Sequence, residues 1–158
     1  VERDGAGVGL PQRDVMLRAV RGVVIGGDPI LRAAHDLSTL HERRELILPG
    51  DTSDIDWARA RLVTEIDRWV LIRTPPAADT APMHTESIGA VVDRLALFAA
   101  LTYRALACGA EAQLRSAQQR LDELACGYDD LVGDVVRGAR RLPDAPEDPP
   151  SHGGDGDE

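Results

Sequence analysis

The chain has 158 residues, 43% of them apolar but only five aromatic, and a formal charge of −9. Residues 143–158, PDAPEDPPSHGGDGDE, hold six acids and no base, which leaves the body nearly balanced at 21 acids against 18 arginines. That balance gives no basic footprint for nucleic acid, and no uncharged apolar run of about 18 residues exists to span a membrane.

The length suits one domain with a sizeable core, and a core poor in aromatics must be aliphatic and alanine-rich, which favours helix over strand. The opening stretch, VERDGAGVGLPQRD, has no hydrophobic signal core, and residues 1–10 are expected to form a flexible arm. A short helix follows in PQRDVMLRAVRGVV (11–24) and ends at the turn IGGDP. The second begins with Asp28 as N-cap and Pro29 in its first turn, and runs to about residue 46. LPGDTSD breaks it, and Asp51 or Ser53 caps a third helix, DIDWARARLVTEIDRWVLIR. The loop TPPAADTAP is too rich in proline to be helical. HTESIGAVVDRLALFAALTYRAL (84–106) forms a fourth helix, capped by His84 or Thr85. After a CGA turn, EAQLRSAQQRLDELACGYDDLVGDVVRGARRL supplies a fifth.

Helical spacing supports this division. Ile55, Leu62, Ile66 and Trp69 share one face of the third helix, while Leu114, Leu121, Ala125, Tyr128, Val132 and Val135 share one face of the fifth. Each stripe needs a partner, so the expected fold is all-α: an antiparallel bundle of four to five helices over residues 11–142, followed by a disordered acidic tail at 143–158. Cys108 and Cys126, if joined by one helix, would stand roughly 27 Å apart. A disulfide needs Cα atoms within about 7 Å. Free thiols and a reducing cytoplasm are therefore expected.

The fourth helix is apolar nearly all round and belongs in the middle of the bundle. Ile88, Val92, Leu95 and Ala99 line one side, and Ala90, Leu97 and Leu101 cover much of the other. Yet it carries charge. Glu86, Asp93 and Arg104 are spaced to project together, and Arg94 points elsewhere, near Ala90 and Leu101. A charge in an interior costs several kcal/mol unless paired, so neighbouring helices must supply partners. Arg59 shares the apolar stripe of Ile55, Leu62 and Ile66, and His41 aligns with Ile30, Ala34 and Leu37. These are the expected partners, with Glu65 and Asp67 flanking the third stripe. The candidate cluster is thus His41, Arg59, Glu86, Asp93 and Arg94.

The same residues carry a likeness. HTES followed by VVDRLALFAALTYRAL resembles a bacterial all-helical domain-of-unknown-function family, in which Thr-Glu-Ser is followed by Asp-Arg-Leu seven residues after the glutamate. RARLVTEID is similar to that family's Arg-x-x-Leu-Val-Glu-x-Ile-Asp segment, with Arg59 at the arginine. GYDDLVGDVVRG is similar to its C-terminal Asp-Leu run ending in Gly. The likeness spans roughly residues 28–142 and suits a shorter, actinobacterial-type branch. Other branches carry Trp-His-x-Glu-Asp where this chain has LHERRE, keeping His41 but not the acids. The resemblance implies a helical fold and a site at these positions, without a particular activity.

Three functions suit the pattern. The cluster can be a closed structural network that fixes helix register. Alternatively, two arginines and a histidine could hold a phosphate or carboxylate, with Glu86 or Asp93 as base. Finally, apolar faces and an off-stripe Trp57 would suit an interaction module, a second copy of the chain being one partner. Enzymatic alternatives lack their signatures. No histidine has a glutamate three positions before it, as di-iron bundles require, and His41 with Glu45 is the spacing of an ordinary helix pair. Glu42 and Glu45 begin the acidic pattern of helical pyrophosphatases, but Glu65 and Asp67 do not complete it. Nucleophile motifs, phosphate loops and zinc spacings are missing too. The expectation is no metal, no cofactor and no recognisable catalysis. His35 and His152 read as surface or tail residues.

Overall fold

The computed structural model describes residues 9–47 and 50–144. Among them are five helices and no strand: α1 (Arg13–Val20), α2 (Pro29–Leu46), α3 (Ser53–Arg73), α4 (Ile88–Ala107) and α5 (Glu111–Val136). The chain is an all-α bundle. Most of the expected arm and acidic tail lies outside the described residues, but Leu10, placed in that arm by sequence, is buried in the core.

Local chemistry explains most of the boundaries. The Asp28 carboxylate accepts the Ile30 amide at 2.9 Å, and Pro29 needs no acceptor in the first turn. α1 is shorter than the sequence suggests, because the chain turns at Gly22, whose φ of 99° is costly for other residues. α4 starts later than expected. Its N-cap is Ser87, whose hydroxyl accepts the Ala90 amide at 3.1 Å, and not His84 or Thr85. Those two residues belong to a turn in which His84 Nδ1 stands 2.8 Å from the Glu86 carbonyl oxygen and 3.1 Å from its amide nitrogen. α5 runs through Gly127 unbroken but stops at Val136 instead of continuing to residue 142. Gly138 there takes a φ of 70°, and the Ala139 amide reaches back to the Asp134 carbonyl at 2.8 Å.

α4 is the central helix, as its all-round apolar character requires. It packs against α1, α2, α3 and α5, whereas α3 and α5 both lie on α4 without meeting each other. Small residues permit this crowding. A Cβ on Gly89 would collide with the Val63 carbonyl oxygen and stand 2.8 Å from Asp67 Oδ1, so glycine sets how closely α4 approaches α3. α1 closes the other side. Tyr128 of α5 is buried and donates to the Pro11 carbonyl at 2.7 Å, and Ser38 of α2 donates to the Val20 carbonyl at 2.6 Å. Burial pushes the Tyr128 phenol far above its ordinary value.

Beyond α5 the chain folds back over the gap between α3 and α5. Arg141 forms an isolated parallel bridge with Met83: its amide donates to the Pro82 carbonyl at 3.0 Å, and its carbonyl accepts the His84 amide at 2.8 Å. This strap holds the loop between α3 and α4 in place. Cys108 caps α4 while Cys126 lies in α5, so no single helix joins them; both are exposed and unbridged.

Candidate functional site

Asp93 lies near the start of α4, where α2, α3 and α4 come together. His41 Nε2 stands 2.8 Å from Asp93 Oδ1. Arg59 grips the same carboxylate in a fork, with Nε 3.2 Å from Oδ1 and Nη2 2.6 Å from Oδ2. The remaining arm of Arg59 donates to Asp56 Oδ1 at 3.1 Å. Asp56 also accepts from Arg44 at 2.7 Å and from Thr52 at 3.2 Å. His41, Asp93, Arg59, Asp56 and Arg44 therefore form one chain of contacts across three helices. His41 is only 2% exposed. Burial alone would push the Asp93 carboxyl up, but the hydrogen bonds and charges of His41 and Arg59 prevail and hold it below the usual carboxylate range.

Of the five sequence candidates the structure brings three together, His41, Arg59 and Asp93, and two do not join them. Arg94 is exposed and pairs with Glu86 Oε2 at 2.7 Å, apart from the Asp93 network. Glu86 lies before the N-cap, so helical spacing does not align it with Asp93. Arg104, expected beside both, ion-pairs with Glu45 of α2. That contact also occupies the carboxylate four positions after His41. Asp67 is engaged elsewhere. Its Oδ1 accepts the Gly89 amide at 2.7 Å, capping α4 from a neighbouring helix. Burial pushes its carboxyl up, against the opposing pull of Ser87 and the Gly89 amide. Glu65 is exposed, and His35 is half-buried with Nδ1 unpartnered instead of lying at the surface.

Sequence reasoning missed Asp56 and Arg44. Asp56 sits in the first turn of α3, where an acid is ordinarily explained by the helix dipole. Arg44 looks like its mirror image in the last turn of α2. A hint lay in Asp56 and Arg59 being three apart, a spacing that brings side chains together on a helix.

An open cleft of about 590 Å³ adjoins the network. Arg59, Asp67, Glu86, Ser87, Asp93 and Arg94 all line it. The inner network forms part of its wall, and the Glu86–Arg94 pair stands at a more exposed position, with side chains 36% and 48% accessible. No group of three or more His, Cys, Asp or Glu residues among those described is arranged to hold a metal ion.

A five-helix bundle with a paired charge cluster beside a cleft is the architecture these features define. Residues 51–143 match DUF4254, whose description is "Protein of unknown function (DUF4254)". The chain belongs to that family. The matched span includes Arg59, Glu86, Asp93 and Arg94 and stops short of His41. No curated protein and no solved structure matches the chain.

Proposed function

We propose that the His41–Asp93–Arg59 cluster is first a structural lock that sets the register of α2, α3 and α4. The observation that carries this reading is that Oδ1 of Asp93 is bound from both α2 and α3 and Oδ2 from α3, while Arg59 commits its other arm to Asp56. Such an arrangement specifies one packing, because any slip leaves an unanswered charge in a poorly hydrated place. The test is Asp93→Asn followed by thermal and urea unfolding. A clear loss of stability with no change in ligand response supports a lock. Unchanged stability overturns it.

A second reading has its own support. The segments that carry the family likeness, around Arg59 to Asp67, Thr85 to Ser87 and Asp93 to Arg94, converge on one open cleft. A small polar ligand there would meet the Glu86 and Arg94 side chains, with the lock as a rigid wall behind them. Its charge favours a ligand that is cationic or rich in hydroxyls over a bare anion. Asp56, Asp67, Glu86, Asp93 and Asp144 face only Arg59 and Arg94 among the cleft's charged residues, and both arginines are already paired. A thermal-shift screen of polyamines, polyols, nucleotides and sugar phosphates, repeated on Arg94→Ala and Glu86→Gln, tests this reading. A hit abolished by both variants supports it; hits indifferent to both count against it.

No helix among the described residues is long and apolar enough to cross a membrane. The two unbridged cysteines suit a reducing cytoplasm, which we propose as the compartment.

A further inference from the structure

α3 carries large apolar side chains on the side turned away from the core. Trp57, Arg61, Thr64, Arg68 and Leu71 follow at spacings of four and three and so share one outward ridge. Trp57 is 65% exposed. The Arg61 guanidinium lies 5.2 Å from the centroid of its ring and leaves the rest of the indole open. Glu65 is within helical reach of Arg61, and Asp54 sits beside it on the flank facing α2. Arg61 nevertheless turns to Trp57 and makes no ion pair among the described residues.

The strap ends against the other flank of the same helix. Asp144 borders both the depression lined by Leu71 and the cleft lined by Ala60 and Thr64. Its direction follows from the isolated bridge. Arg141 runs parallel to Met83, and the chain from Met83 to Glu86 passes from the Thr74 end of α3 towards Ala60. The strap therefore aims the chain after Asp144 at the N-terminal half of α3. The next six residues in sequence, Ala-Pro-Glu-Asp-Pro-Pro, bring two acids, three prolines and no base. The cleft beside them repels those acids, because Asp56, Asp67, Glu86 and Asp93 face two arginines that are already paired.

We infer that residues 145–150 dock on the α3 ridge, with Glu147 and Asp148 on the Arg61 and Arg68 guanidiniums and Pro149 and Pro150 against the open surface of Trp57. The lengths agree. Trp57 lies about 10 Å before Thr64 along the helix. Extended chain at about 3 Å per residue carries Pro149 about 15 Å past Asp144, enough to climb from flank to ridge. A proline-rich segment has little freedom to lose and packs well on aromatic rings. Attachment at Asp144 makes the docking intramolecular, so modest contacts suffice. A second copy is the poorer occupant: laid antiparallel across Thr64, it would set the arginines of one ridge against those of the other.

The experiment is paramagnetic broadening in the NMR spectrum of the full chain. A nitroxide is placed on Ser151→Cys, with Cys108→Ser and Cys126→Ser removing the native thiols. It should broaden the Trp57 indole N–H and the amides around Arg61, and spare those at the start of α5. The broadening should vanish in Glu147→Lys/Asp148→Lys and return when Arg61→Glu/Arg68→Glu is added. Arg61 and Arg68 are both exposed, so the exchange does not threaten the fold. Salt at about 1 M, where charges are screened within about 3 Å, should also weaken it. Broadening around Glu86 in place of Trp57, broadening that survives Glu147→Lys/Asp148→Lys, or none at all would each overturn the proposal. So would equal broadening when the nitroxide and the observed nuclei sit on different molecules, which would assign the ridge to a second copy.

Discussion

Asp93 and Arg94 are consecutive residues on one helix, yet they inhabit different electrostatic worlds. Asp93 turns towards α2 and α3, where its side chain is 15% exposed and held from two sides. Arg94, rotated about 100° further round the helix, is 48% exposed and meets a single carboxylate from the preceding turn. The difference shows how strongly the value of an ion pair depends on its surroundings. In a largely enclosed place the unpaired state is prohibitive, so the pair dictates structure. At the surface water substitutes readily for either partner.

The largest expected effect comes from breaking the inner member. Asp93→Ala takes from buried His41 its ion-pair partner and leaves Arg59 with Asp56 alone, and should lower stability by roughly 3 kcal/mol or somewhat less, measured by urea unfolding at neutral pH. Next comes Gly89→Ala. Its added methyl must push α4 away from the Val63 carbonyl, stretching Arg59 from Asp93 while leaving Arg94 and Glu86 on their own segment. Such overpacking should cost about 1–3 kcal/mol, and a double variant with Asp93→Ala should lose less than the sum.

The acid limb sharpens the contrast further. Asp93 has its carboxyl lowered by folding, so its stabilisation is complete above the ordinary carboxylate value near pH 4 and disappears as pH falls through the lower folded value. Asp67 has the opposite sign. Burial raises its carboxyl, so its charge costs stability above the folded value, and that cost is relieved as pH falls back through it. Stability measured against pH should therefore lose part of its acid dependence in Asp93→Asn. In Asp67→Asn it should become steeper on the acid side, with little loss at neutral pH. The smallest effect belongs to the outer pair: Arg94→Ala should change stability by less than about 1 kcal/mol, checked by the same unfolding curves.

The inner cluster is readable in the sequence because each member breaks an apolar stripe. His41 interrupts Ile30, Ala34 and Leu37, and Arg59 interrupts Ile55, Leu62 and Ile66, so periodicity alone marks both as facing inward. Glu86 and Arg94 escape such a reading for a local reason. Moving the cap from Thr85 to Ser87 takes Glu86 off the helix, and its angular relation to Asp93 no longer follows from spacing. Asp67 shows a different limit. Its acceptance of the Gly89 amide depends on how near two helices come, which is set by a glycine in α4 and not by any pattern within α3. The strap arises from the backbone's return after Gly138, a tertiary event that periodicity does not encode.

The hydrogen bond from Tyr128 to Pro11 spans 117 positions of sequence. During synthesis from the N-terminus, the segment around Pro11 has no seat until nearly the whole domain has left the ribosome. The last helical turns of α5 therefore act as a late clasp, and a chain truncated before them would leave the Pro11 segment and part of the α5-facing side of α4 without cover.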